Sequence, residues 1–203
     1  MPSRRACLLS LCGILLPVGL ARAGRQIEEP LSHAVRSALS AAVAAAAPPE
    51  PLLPTASDQQ AYAQWQVASS QRLARYKKHP TERQEFLQTL WYEARRAGLP
   101  LSLVLGVVQV ESAFRKYAIS SAGARGYMQV MPFWARLIGD GDDSRLFHLQ
   151  TNLRFGCVIL RHYLDRERGD LFMALGRYNG SRGQSAYPQK VMAAQRAWMH
   201  PWD

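Results

Sequence analysis

The sequence predicts a mainly α domain over residues 58–203, carried behind a leader and a flexible extension. Three observations support it. Apolar residues recur at helical spacing from about Asp58 onward, no stretch alternates apolar and polar for the length of a strand, and Gly98 and prolines 80, 132 and 188 stand where helices stop or start. With 203 residues and 48% hydrophobic content, the chain has material for one ordinary core plus extensions. It contains no internal repeat.

Residues 1–23, MPSRRACLLSLCGILLPVGLARA, read as a secretory signal peptide: Arg4 and Arg5, then an apolar run over 6–20, then Ala21-Arg22-Ala23, the small-x-small pattern of a cleavage site. The mature chain would begin near Gly24. The apolar run is short and broken by Gly and Pro, which weighs against a membrane span, an uncleaved anchor being the alternative. Acylation at Cys12 would place Leu11 where a small residue is expected. Loss of Cys7 and Cys12 with the leader would leave Cys157 with no disulfide partner, and its neighbours Phe155, Val158 and Ile159 predict a buried structural thiol.

Residues 24–57 read as a mobile tether. The run LSHAVRSALSAAVAAAA could be helical, but it offers little to anchor a helix, and the proline cluster at 48–54 must end it. Periodicity then starts at about Asp58 and breaks at His79-Pro80. It resumes after Thr81, whose spacing to Gln84 is that of a capping box, and stops at Gly98, a good left-handed terminator. Leu101, Val104, Leu105 and Val108 mark one stripe of the next helix. Further helical runs fit residues 133–138, 150–166, 170–178 and 188–199.

The formal net charge is +10 and falls to +7 once Arg4, Arg5 and Arg22 leave with a leader that holds no acid. Such a surface favours a polyanion. Export turns the expectation from nucleic acid to an acidic wall polymer or a membrane surface, the alternative being a basic face that serves only solubility.

Glu111 is the acid that calls for explanation. In a continuing helix it shares the apolar face of Val104, Val107 and Val108, where desolvation raises a carboxyl pKa and suits it to general acid work near neutrality. The pattern equally fits a buried acid held by a structural partner. Beyond it, SSAGARGYMQVMP places Gly123 and Gly126 where a backbone can approach a ligand, with Ser120 and Gln129 as hydrogen-bonding groups. This is either the floor of a cleft or a tight structural turn. Pro132 fits the first turn of the following helix.

The stretch ESAFRKYAISSAGARGYMQVMP resembles the signature of the soluble lytic transglycosylases, a Glu-Ser pair followed by Ser, Gly-Ala-x-Gly, Met-Gln and Met-Pro. Downstream, NLRFGCVILRHYL and ALGRYNG resemble the same family's later blocks, so three ordered motifs span residues 100–190. The resemblance implies a lysozyme-like fold and a peptidoglycan lytic transglycosylase that cleaves the MurNAc-GlcNAc β-1,4 bond without water to leave 1,6-anhydroMurNAc ends. It places the catalytic acid on Glu111 and substrate-binding positions on Ser120, Gly126, Gln129, Met131, Tyr178 and Asn179, with the Tyr178 hydroxyl holding the Glu111 carboxyl. Asn152 and Gly156 become packing positions. The chain departs from the pattern at Tyr127, where the family usually carries Leu, and at Gly180-Ser181, where Ala-Gly is commoner.

Most glycosidases use two carboxylates. The next acids here, Asp140, Asp142 and Asp143, fall in GDGDDS, a Gly-rich stretch expected to be a solvated turn, since no Glu follows at the spacing of a calcium loop. The implied reaction needs only Glu111, first as acid and then as base toward the sugar's C6 hydroxyl, and neither a metal nor another cofactor. Of Tyr117, Phe133, Trp134, Tyr163 and Tyr187, one or two are expected to stack on sugar faces, the rest to pack in the core. The implied partner is the glycan strand of peptidoglycan, met in the periplasm by a monomer that makes no use of nucleic acid and that could serve a secretion or pilus machine. A goose-type lysozyme hydrolysing the same bond and a non-catalytic wall-binding protein are the rivals.

Overall fold

The structure, a computed structural model, describes residues 26–45, 49–51 and 53–200. The expected signal segment, with Cys7 and Cys12, lies outside them. Among the described residues the chain forms eight α-helices in the order α1 (His33–Ala44), α2 (Ala56–Leu73), α3 (Pro80–Arg96), α4 (Leu101–Ser112), α5 (Pro132–Ile138), α6 (Leu149–Arg166), α7 (Leu171–Asn179) and α8 (Ala186–Trp198), with a 3₁₀ turn at Asp143–Phe147 before α6. Extended pairing among these residues is limited to isolated bridges in the loop after α4, Ile119 with Arg125 and Arg125 with Val130.

The helices expected from periodicity form within a few residues of their predicted bounds. α3 ends as Gly98 predicts: Gly98 adopts φ 63°, and the Leu99 amide reaches back to the Ala94 carbonyl at 2.9 Å. Its start differs. Pro80 occupies the first turn behind His79, which makes no side-chain cap, so the Thr81–Gln84 spacing lies inside the helix. The capping box belongs to α2, where Thr55 accepts from the Asp58 amide at 3.1 Å and Asp58 returns the bond to the Thr55 amide at 3.1 Å.

α4 is the central helix, buried on nearly every side from Leu101 to Val108. It packs on α8 across Gly106, where an added Cβ would lie 2.9 Å from the Gln195 backbone nitrogen. α3 packs on α6, and α6 on α7. Gly156 lets α6 meet the loop behind Glu111, because a Cβ there would sit 2.3 Å from the Met128 sulfur. Cys157 is buried, as its apolar neighbours predict, and burial pushes its thiol pKa up.

The extension differs most from expectation. Within the stretch read as a tether, α1 packs Leu39 and Val43 into the core and rests on α5 and α6. Its last carbonyls are capped by cations: Arg96 donates to the Ala45 carbonyl at 2.8 Å and also to that of Ala42, and Arg154 donates to the Val43 carbonyl at 3.3 Å. Glu93, itself buried, holds both guanidiniums, with Arg154 at 3.1 Å and Arg96 at 3.4 Å. Ahead of the helix, Gln26 accepts from the Trp134 indole at 2.7 Å and Glu29 pairs with Arg166 and Arg177. Alanines anchor little by themselves. These bonds come from side chains on α3, α5, α6 and α7, which the local composition of 24–57 does not reveal.

Candidate active site

Glu111 sits in the last turn of α4 and is 6% exposed. Its pKa is pushed up to about 8, first by burial, with the Tyr187 hydroxyl pulling the other way. That hydroxyl, on α8, donates to Glu111 Oε1 at 2.5 Å, while Oε2 is buried with no protein partner among the described residues. At neutral pH the carboxyl is therefore mostly protonated, bonded at one oxygen and without a protein partner at the other among the described residues.

The chain turns sharply to leave this helix. Ala113 and Phe114 both adopt left-handed conformations, φ 48° and 62°, which side chains other than glycine adopt only where packing enforces it. Phe114 supplies that packing: buried, it packs in tilted and edge-on contact with Tyr76, Phe86 and Trp198, with centroids 4.8, 5.7 and 5.5 Å away. The Trp198 indole also donates to Gln109 at 2.7 Å, fixing the end of α8 against α4. The position of Tyr187 opposite Glu111 follows from this docking.

The loop beyond is tightly bonded. Ser120 Oγ accepts from the amides of Ala122 and Ala124 at 3.2 and 3.1 Å, and the Gly126 amide donates to the Ala118 carbonyl at 2.9 Å. Gln129, in the left-handed region at φ 49°, donates through Nε2 to the carbonyls of Ala118 and Gly126 at 3.1 and 3.0 Å. Asn152, fully buried on α6, accepts from the Met128 amide at 2.8 Å and donates to the carbonyls of Arg125 and Leu146 at 2.9 and 2.7 Å. Gly126 must lack a side chain, because a Cβ would fall 2.3 Å from the Asn152 amide nitrogen. Met131 ends the loop as the residue before α5.

Tyr178 is assigned differently from the expectation. It lies fully buried near Glu111, whose proximity adds to the burial that holds its hydroxyl far above its usual pKa, but that hydroxyl donates to the Met128 carbonyl at 2.8 Å. It braces the loop; Tyr187 holds the acid. Tyr187 was legible in the sequence only as one of several aromatics, because nothing local says that α8 lies on the apolar face carrying Glu111. Asn179, at the end of α7, accepts from the Ser181 hydroxyl at 3.0 Å and keeps a buried amide nitrogen with no protein partner among the described residues. Of the other aromatics considered for stacking, Phe133, Trp134 and Tyr163 are core, whereas Tyr117 is 71% exposed.

The aspartates of the Gly-rich turn are engaged away from Glu111. Asp140 pairs with Arg145, Asp142 caps the 3₁₀ turn through the Ser144 amide at 3.0 Å, and Asp143 pairs with Arg125 at 2.9 Å. Bonding to the Asp142 and Ser144 groups, respectively, lowers the pKa of Asp140 and Asp142 and keeps both ionised. Among the described residues no group of His, Cys, Asp and Glu is disposed to hold a metal ion.

The profile of the Transglycosylase SLT domain family matches residues 89–199, which hold the site and more than half of the chain. The chain belongs to this family. A transglycosylase of Enterobacteria phage PRD1 is 34% identical over 115 residues, 53% of this chain and 42% of that protein. Membrane-bound lytic murein transglycosylase C of Actinobacillus pleuropneumoniae serotype 5b (strain L20) is 38% identical over 84 residues, 37% of this chain and 23% of its own length. The match thus spans less than half of either relative. Among solved structures, an inactive mutant of the lytic transglycosylase Slt from Pseudomonas aeruginosa superposes with a TM-score of 0.50 at 22% identity, covering 69% of this chain and 29% of that one, an agreement in fold. The SLT domain here is mainly α and lysozyme-like, as its sequence predicts.

Proposed function

We propose that the protein is a peptidoglycan lytic transglycosylase in which Glu111 is the only general acid and base. The observation that carries this reading is the state of Glu111: a carboxyl held near pKa 8 by burial, bonded on one oxygen by Tyr187 and without a protein partner on the other among the described residues, with the next acids downstream tied to arginines or a helix cap. Protonated Glu111 gives its proton to the glycosidic oxygen as the bond from that oxygen to MurNAc C1 breaks. The resulting carboxylate then takes the proton of the C6 hydroxyl of the same MurNAc, whose oxygen bonds to C1 and closes the 1,6-anhydro ring. The acetamido group of the sugar stabilises the cationic carbon between the two steps. No water enters and Glu111 ends protonated.

Ser120, Gly126, Gln129, Met131 and Asn179 belong to the cleft in this reading. The loop bonds made by Ser120 and Gln129 fix the backbone against which the glycan lies, and the unpartnered amide of Asn179 is a donor for a sugar oxygen. A periplasmic location suits the substrate, and residues 1–23 fit the leader that would deliver the chain there. The test is incubation with purified sacculi followed by mass analysis of the released muropeptides. Products should be one water lighter than hydrolysis products and refractory to borohydride at muramic acid. Fragments that borohydride reduces there would instead make the protein a lysozyme, and no release at all would leave a wall-binding protein.

A further inference from the structure

A groove of about 540 Å³ opens between the α2–α3 turn and the segment that leaves Glu111, with Lys77, Lys78, Arg115, Lys116, Tyr117 and Ala118 among its walls. Positive charge dominates it: Glu82 is the acid on the rim, 4.0 Å from Lys77. Among the described residues no carboxylate lies within ion-pair distance of Lys78, Arg115 or Lys116. Lys77 is built into the wall. Its ammonium donates to the Tyr127 hydroxyl at 2.9 Å and lies 5.0 Å from that ring and 5.7 Å from Phe86. Tyr127 stands where the resembled signature usually carries Leu, and a leucine could not accept the lysine's hydrogen bond. Half-burial also lowers the pKa of Lys77, a charge that an incoming anion would relieve.

The groove borders the loop that follows Glu111. Ala118 lines it, and the carbonyl of the same residue receives the Gly126 amide and the Gln129 side chain. Tyr117 and Ile119, 71% and 65% exposed, give it an apolar lip, with Phe147 5.9 Å from the Tyr117 ring.

Resting on the transglycosylase reading, we propose that this groove binds the peptide stem of the substrate, its cations meeting the free carboxylates of the stem and its aromatic lip the aliphatic side chains. The stem hangs from the lactyl group of the MurNAc whose C1 reacts, so it leaves the cleft beside the scissile bond and carries carboxylates along its length. Cations on two facing walls suit a threaded chain better than a flat lipid surface. The structure thereby assigns the chain a preference for strands that keep their peptides.

The test compares kcat/KM on soluble glycan strands bearing stems and on strands stripped by an amidase, for the full protein and for Lys78→Glu/Lys116→Glu, with melting temperature verifying that the exposed changes leave the fold intact. Binding of free stem tetrapeptide and of anionic phospholipid vesicles is measured beside it. Wild type should favour stem-bearing strands by about tenfold, equivalent to about 1.4 kcal/mol, and should bind the tetrapeptide. The variant should lose the preference and the peptide affinity together. Anhydro products formed equally from both substrates, with no effect of the variant, would overturn the groove and leave the transglycosylase reading standing. Vesicle binding lost in the variant without any peptide effect would likewise overturn it in favour of a membrane. Tetrapeptide bound in a charge-dependent way without anhydro products from either substrate would sink the reaction and keep the groove as a peptide site.

Discussion

Glu111 combines two properties: it is buried enough to hold a proton near neutrality, and its Oε2 has no protein partner among the described residues to compete for that proton. Glu111→Gln keeps the shape and should reduce turnover by at least the roughly 10²–10⁴-fold ascribed to general acid–base catalysis. The stability effect has a definite sign. The folded carboxyl keeps its proton up to about pH 8, against an ordinary value of 4.5 in the unfolded chain, so the stability it contributes is full below 4.5 and is lost as the pH climbs toward 8. Glu111→Gln lacks this titration, and its melting temperature should gain on wild type across that interval. Tyr187 and Tyr178 separate just as cleanly. The Tyr187 hydroxyl lowers the Glu111 pKa, so Tyr187→Phe should move the alkaline limb of the pH–rate profile to higher pH. Tyr178→Phe should leave the limb in place and lower stability by about 1–3 kcal/mol, the cost of orphaning a buried carbonyl such as that of Met128.

At the scale of elements, the site depends on how closely α8 approaches α4. Gly106→Ala would place a methyl 2.9 Å from the Gln195 nitrogen and 3.1 Å from the Val191 carbonyl, backbone atoms that cannot swing aside. Overpacking of this kind costs about 1–3 kcal/mol, and turnover should fall further than stability because Tyr187 rides on α8. A melting curve beside a rate assay checks both. α1 makes a different contribution. Removing residues 26–45 uncovers the seats of Leu39 and Val43, each worth up to about 1.5–3 kcal/mol in burial, and frees the cations that cap its carbonyls. The truncated protein should melt at lower temperature, while the fraction that folds should keep nearly full turnover, since none of these contacts reaches Glu111.

Across the whole molecule, what could be read in advance followed from local chemistry. Gly98 and Pro132 act at their own positions, as a left-handed stop and a first-turn proline, and the helices they bound form where expected. Glu111 could be picked out because its apolar neighbours precede it on one helix. Contacts between distant segments could not be read: Tyr187 meets a carboxyl 76 positions earlier, and Gln26 meets an indole 108 positions later. The capping signal at Thr81 yielded to Pro80, which starts the helix ahead of it. The central claim, that one buried carboxyl makes the sugar its own nucleophile, is tested most directly by digesting sacculi in H₂¹⁸O and weighing the muramic acid ends. Ends that carry no ¹⁸O and are one water short are the predicted result. Incorporation of one ¹⁸O at C1 in each new end would show that water attacked and would contradict it.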